Sequence, residues 1–306
     1  MHDDNMHDET GCDKTTHDKK FYRSADGLQL FYRDYSAHTP VLGALPVLCM
    51  HGLTRNSRDF GDLATHLSER CRVIVPDVRG RGFSEYDADP THYQPPVYAD
   101  DMWCLLDHLG IARCILSGTS MGGLMAMIMA VQQPQRIAGI VLNDVGTDLD
   151  EAGVQRIKSY VGSTSAVGSW TDAANQCRYI NAVALPDLTD ADWLQFAHNT
   201  YRENEQGIPS LDYDPNIAKL FAQTDFKAAS DKVWQVFTAI HQPVLLLRGA
   251  LSDLLSAATV AAMRRRHLDL TAVEIPQRGH APLLSEPTSL VAIDTFIERL
   301  NSTVVN

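Results

Sequence analysis

Cys114-Ile115-Leu116-Ser117-Gly118-Thr119-Ser120-Met121-Gly122-Gly123-Leu124 is the stretch on which the reading of this chain turns. A short apolar run leads into Gly118-Thr119-Ser120-Met121-Gly122, a G-x-S-x-G, and an apolar helical pattern over 124–131 follows directly. In that context the serine sits on a tight strand-to-helix bend. Small residues two positions to either side let neighbouring backbone pass, and the bend lifts the hydroxyl clear of the sheet. The first amides of the helix, which have no partner inside it, then point at whatever the hydroxyl attacks. The pentapeptide alone also fits an ordinary glycine-rich turn; the flanking strand and helix are what favour a nucleophile. A phosphate loop fits less well, because G-x-G-x-x-G is absent and no Lys follows Gly122-Gly123.

Working outward, short apolar runs alternate with helical patterns on both sides. Residues 28–35 alternate as a half-buried strand should, and 47–50 and 72–76 read as further strands. A helix over 97–109 precedes the nucleophile strand, and a strand over 139–143 follows its helix. The rhythm then stops. From about 148 to 230 only helical patterns appear, at 154–161, 172–180, 189–202 (with Thr189 as N-cap) and 217–221. It resumes with a strand at 243–247, a helix at 256–267, a strand at 272–275 and a terminal helix near 287–301. This pattern predicts an α/β fold, a mostly parallel central sheet flanked by helices. The expected division is a polar, disordered leader over 1–19, a core over 20–147 and 231–306, and a helical cap over 148–230.

A serine hydroxyl needs a positioned base to act near neutral pH. Of twelve histidines, His280 is the one at the carboxyl end of a strand late in the chain, in Gly279-His280-Ala281-Pro282. The acid should also follow a late strand and precede His280. Asp253, just past the strand 243–247, is preferred, and Asp144, just past 139–143, is the rival. A tetrahedral intermediate needs two donors. The backbone N–H of Met121 is one, and that of Leu53, after His51-Gly52, is the other. His51 reads as a structural ring holding its loop, and Arg79 as a brace for the loop 77–84 rather than a contact to an anionic substrate. Trp170, Trp193, Tyr201 and Trp234 fit a cap pocket or plain core, and Met121, Met125, Met127 and Met129 fit a pliable surround or a buried helix.

Composition narrows the function further. The 306 residues carry a formal charge of −12, which argues against nucleic acid or an anionic membrane as partner. Six cysteines without a C-x-x-C pair suit free thiols and a reducing, cytoplasmic setting. The first twenty residues lack the apolar core of a secretion signal. His2, His7 and His17 among acids suggest a disordered leader rather than a metal-binding tail.

Together, His51-Gly52, Asp77-x-Arg79-Gly80-x-Gly82-x-Ser84, Gly118 to Gly123, Asp253 and Gly279-His280 resemble the α/β-hydrolase superfamily, over roughly residues 21–300. The likeness is to its capped branch of serine esterases, enol-lactone hydrolases, perhydrolases and meta-cleavage-product hydrolases. It implies a nucleophile at Ser120, an acid at Asp253, a base at His280 and oxyanion donors at Leu53 and Met121. Ser120 at the elbow departs from the aspartate of haloalkane dehalogenases and epoxide hydrolases. His51-Gly52-Leu53-Thr54 departs from the glycine-rich oxyanion loop of many lipases. The expected substrate is a small or medium, largely apolar ester or lactone. A C–C bond or a thioester would use the same triad, and a receptor-like protein with little turnover would keep the same fold. No metal or organic cofactor is expected, since the triad supplies nucleophile, base and charge stabilisation. Association into a homo-oligomer is left open.

Overall fold

The structure is a computed structural model that describes residues 18–162 and 165–302. Its strands are β1 (Asp18–Arg23), β2 (Gln29–Tyr35), β3 (Val47–Met50), β4 (Val73–Pro76), β5 (Cys114–Thr119), β6 (Ile137–Asn143), β7 (Tyr201–Glu203), β8 (Pro209–Leu211), β9 (Val244–Gly249) and β10 (Leu270–Ile275). Its helices are α1 (Gly61–Ser68), α2 (Pro95–His108), α3 (Met121–Gln132), α4 (Glu151–Tyr160), α5 (Trp170–Asn181), α6 (Asp190–Thr200), α7 (Ile217–Gln223), α8 (Phe226–Thr238), α9 (Ala257–Arg266) and α10 (Pro287–Ser302).

Eight strands form one sheet in the order β1-β2-β4-β3-β5-β6-β9-β10. The pairs β1–β2 and β2–β4 are antiparallel, and every other pairing in this sheet is parallel. Parallel strands are covered on both faces, so their sequences must be apolar at successive positions. β3, β4 and β6 meet that demand, with every residue buried. Alternation still sorts the side chains between faces. Leu48 and Met50 join the core under α2 and α3, while Val47 and Cys49 join the one under α1 and α10.

The segment between β6 and β9 carries α4 to α8 and packs a small core of its own, including Ala173, Cys177, Leu185, Trp193, Ala197 and Tyr201. Thr189 caps α6 in a reciprocal capping box with Asp192, as the sequence suggests. Two corrections apply here. Residues 201–203 and 209–211 form a two-stranded hairpin, so the segment is not purely helical. α8, absent from the sequence reading, starts at the Asp225 cap and anchors on the sheet core through Phe237, which is fully buried. At the N-terminus, Asp18 and Lys19 belong to β1 and not to a leader. The rest of the expected leader, with His2, His7 and His17, lies outside the described residues. Five cysteines (49, 71, 104, 114 and 177) are free thiols, and no described helix is long and apolar enough to cross a membrane.

Because β3, β4, β5, β6, β9 and β10 all run the same way, their carboxyl ends share one edge of the sheet. His51, Asp77, Ser120, Asp144 and Gly249 therefore collect there, although up to 198 positions separate them.

Candidate active site

Ser120 follows β5 immediately and has φ 52° and ψ −112°, a strained conformation that L-residues rarely adopt. The turn closes because its flanks have no side chains. A Cβ on Gly118 would lie 2.2 Å from the Gly122 carbonyl oxygen, and one on Gly122 would lie 2.0 Å from that of Met50. Sheet hydrogen bonding continues into the bend, where the Ser120 amide donates to the Asn143 carbonyl at 3.0 Å. The nucleophile candidate is thus tied to the end of the neighbouring strand.

The Ser120 hydroxyl lies 3.0 Å from His280 Nε2, and His280 Nδ1 lies 2.9 Å from Asp144 Oδ2. An ionised carboxylate only accepts, so Nδ1 carries the proton and Nε2 presents its lone pair to the hydroxyl. Asp144 is fully buried. Its Oδ1 accepts from the Gly249 amide at 2.8 Å, and its Oδ2 accepts from the Ser252 hydroxyl at 2.6 Å as well as from His280. Its own amide donates to the Leu247 carbonyl at 2.8 Å. Three donors thus surround one buried carboxylate and fix its orientation.

The acid on His280 is therefore Asp144, and the preference for Asp253 is corrected. The Asp253 carboxylate instead takes both edges of the Arg156 guanidinium, at 2.5 and 2.8 Å, across to α4. That guanidinium holds the Asp253 carboxyl below its usual range. The reason is distance along the strand ends. Asp144 directly follows β6, which pairs with the strand carrying Ser120, whereas Asp253 lies four residues beyond β9. In the β9–α9 loop it is Ser252, missed in the sequence, that turns inward.

The histidine loop is fixed at both ends. The Gly279 amide donates to the Ala184 carbonyl at 2.7 Å, and the Asn143 side-chain amide donates to the Pro282 carbonyl at 2.9 Å. Asn143 was also missed, for an end-of-strand Asn carries no signal of its own. The loop expected to hold the oxyanion runs beside the nucleophile: a Cβ on Gly52 would lie 3.9 Å from that of Ser120. The Met121 amide opens α3, where no acceptor exists inside the helix.

His51 and Arg79 take structural places, as read from the sequence. His51 Nε2 accepts from the Val78 amide at 3.0 Å while Nδ1 donates to the Gly52 carbonyl at 2.8 Å. Burial lowers its pKa to about 4, which keeps the ring neutral. Arg79 is buried and paired with Asp26, Asp87 and Asp101.

A sequence model of the alpha/beta hydrolase fold family matches residues 46–287, which include every residue of this site. The chain is an α/β hydrolase. It is 35% identical over 268 residues to the 3-hydroxybutyrate-oligomer hydrolase of Cupriavidus necator, covering 82% of this chain and 87% of the relative. It is 30% identical over 254 residues to a 2-(acetamidomethylene)succinate hydrolase of Mesorhizobium japonicum, again covering 82% and 87%. A crystal structure of an alpha/beta hydrolase from Novosphingobium aromaticivorans superposes with a TM-score of 0.85 at 40% identity, covering 93% of this chain and 99% of that one.

In this hydrolase a cavity of about 560 Å³ opens between α4, α5 and the β9–α9 loop. Arg156, Tyr160, Gln176, Ile180, Ala184 and Leu251 are among its lining residues. Two of its lining residues connect to the site: the Ala184 carbonyl accepts from Gly279, which precedes His280, and Leu251 precedes the Ser252 that donates to Asp144. Trp170, Trp193, Tyr201 and Trp234 are not in this lining. Trp193 and Tyr201 are core, and Trp170 and Trp234 donate to Glu203 and Asp148. The methionines of α3 are core too, with Met125 and Met129 fully buried.

Proposed function

We propose that this hydrolase cleaves carboxylic esters through an acyl-serine. Ser120 is the nucleophile, His280 the base, Asp144 the acid, and the amides of Leu53 and Met121 the oxyanion donors. The observation that carries the reading is the unbroken line from Asp144 to His280 to Ser120, with gaps of 2.9 and 3.0 Å. Ser120 Oγ attacks the carbonyl carbon as its proton passes to His280 Nε2. The imidazolium, stabilised by Asp144, then protonates the departing alkoxide. Water attacks the acyl-serine, losing its proton to His280, and the acid leaves as Ser120 recovers its own. Nothing in this cycle calls for a metal or an organic cofactor.

For substrate we propose short esters of hydroxy acids. Support comes from the relative named for 3-hydroxybutyrate oligomers and from the cavity. Its volume of about 560 Å³ lies within the range of small-ligand sites, and it mixes apolar Ile180, Val183 and Ala184 with polar Gln176 and Arg156. Such esters alternate polar ester groups with small apolar branches. The test is turnover of nitrophenyl esters, lactones, thioesters, a dienoic diketone and hydroxybutyrate dimers and trimers. A fluorophosphonate mass-tag readout on wild type and Ser120→Ala accompanies it. Ester turnover with a tag on Ser120 is expected, and Ser120→Ala should lose on the order of 10⁶ in kcat. Preference for the diketone or the thioester would move the activity to that class with the same triad. Ligand binding with no covalent tag would favour a receptor-like protein.

A further inference from the structure

Arg81 is completely buried, yet among the described residues it forms no ion pair. Its neighbour Arg79, equally enclosed, has three carboxylates. An enclosed guanidinium without a counter-ion is costly unless something else answers its charge. Here the answer comes from dipoles and rings. Arg81 Nη1 donates to the Arg79 carbonyl at 2.8 Å and to the Tyr98 hydroxyl at 2.9 Å. The guanidinium carbon lies 4.8 Å from the ring centre of Tyr98 and 5.6 Å from that of Tyr93.

The other edge of the guanidinium faces the reaction centre. Nε donates to the Leu53 carbonyl at 2.9 Å, and Nη2 lies 3.6 Å from Met121 Sδ. Leu53 and Met121 are the two residues whose amides are assigned to the oxyanion, and one planar, rigid group grips both. Lysine could reach either contact but could not fork to the two together.

We propose that Arg81 is a positioning residue for oxyanion stabilisation: it sets the Leu53 and Met121 amides in register, and its unpaired charge favours the anion that forms between them. The inference rests on the acyl-serine reading above. A buried, pre-oriented positive charge costs nothing to reorganise when the carbonyl oxygen becomes negative, and it acts at low dielectric. The ground-state ester, being neutral, gains far less from it. Arg81 therefore acts on kcat and leaves KM nearly unchanged.

Arg81→Met and Arg81→Lys, with thermal melts to report folding, test this. The measurements are kcat and KM on a short nitrophenyl ester, and affinity for an alkyl trifluoromethyl ketone. In the ketone adduct Ser120 Oγ bonds to the carbonyl carbon and its proton moves to His280, which leaves an oxyanion. Expected for Arg81→Met is a loss of about 100-fold in kcat with KM within threefold, and a matching loss of ketone affinity. Arg81→Lys should recover part of both. If Arg81→Met does not fold, Arg81→Lys decides alone, at least tenfold below wild type in kcat and in ketone affinity. A folded variant with kcat within twofold of wild type overturns the proposal, as does a kcat loss with ketone affinity unchanged. Failure of both variants to fold makes Arg81 a residue of the fold and overturns it equally. A wild type that neither turns over esters nor takes the fluorophosphonate tag sinks the acyl-serine reading itself, which none of the variant results does.

Discussion

Replacing Asp144 by Asn, with Asp253→Asn as its control, separates the two carboxylates that the sequence leaves in competition. In the native site Asp144 Oδ1 accepts from the Gly249 amide and Oδ2 from His280 and Ser252. An asparagine that keeps its oxygen on Gly249 must turn its NH₂ toward His280. Nδ1 then has to accept, the ring proton moves to Nε2, and Nε2–H faces the Ser120 hydroxyl as a donor. The base is gone although every heavy atom stays in place. In triads of this kind the wrong tautomer costs on the order of 10⁴ in kcat, about 5 kcal/mol of barrier. Asp253→Asn removes an ion pair with Arg156 whose side chains are 36% and 25% exposed, so solvent screening limits the loss to about 1 kcal/mol of stability. Its kcat should stay within about threefold of wild type. The assay is steady-state hydrolysis of a short nitrophenyl ester beside a thermal melt of each variant. Asp144→Asn keeping a tenth of the activity while Asp253→Asn loses a thousandfold would refute the assignment.

Other consequences can be measured separately. Gly122→Ala puts a Cβ 2.0 Å from the Met50 carbonyl oxygen, which belongs to the sheet and cannot yield. A cost of about 3 kcal/mol is expected, seen as a Tm lower by roughly 6–12 °C; a Tm within 2 °C would show that the elbow tolerates bulk. His51, held near pKa 4 by burial, stays neutral in the folded state while the unfolded chain takes up a proton below about 6.5. Its contribution is whole above that value and drains away as pH falls towards 4. The stability gap between wild type and His51→Gln should narrow by about 3 kcal/mol between pH 7 and 4 in urea titrations, and a constant gap would contradict this. Ile180→Trp narrows the cavity beside α5. It should raise KM at least tenfold for hexanoyl esters and spare acetyl esters; equal effects on both would remove the cavity from the acyl path.

The elbow and the histidine that meets it were legible from motif and order along the chain. A G-x-S-x-G between a strand and a helix is written in consecutive residues, and the order of elements places His280 at the same sheet edge as Ser120. Strand positions were legible for a related reason: a parallel strand covered on both faces needs an unbroken apolar run, and β3, β5, β6 and β9 show one. α8 and the β7–β8 hairpin left weaker marks. α8 buries Phe237 but few other side chains, and the hairpin strands are three residues each.

By itself, then, the sequence determined the fold class, the serine at the elbow, the histidine that meets it and the strand ends that could supply an acid. Which aspartate meets the imidazole was decided only in three dimensions. Asp144 and Asp253 both follow a strand and both precede His280, so order along the chain is silent between them. The choice depends on how far past its strand each carboxylate sits. Asp144 directly follows β6 beside the strand of Ser120, whereas Asp253 lies four residues past β9, where Arg156, nearly a hundred positions away in sequence, takes its carboxylate. The grip of Arg81 on Leu53 and Met121, the residues proposed to hold the oxyanion, is of the same kind, since spacing along the chain does not reveal which buried cation goes without a counter-ion.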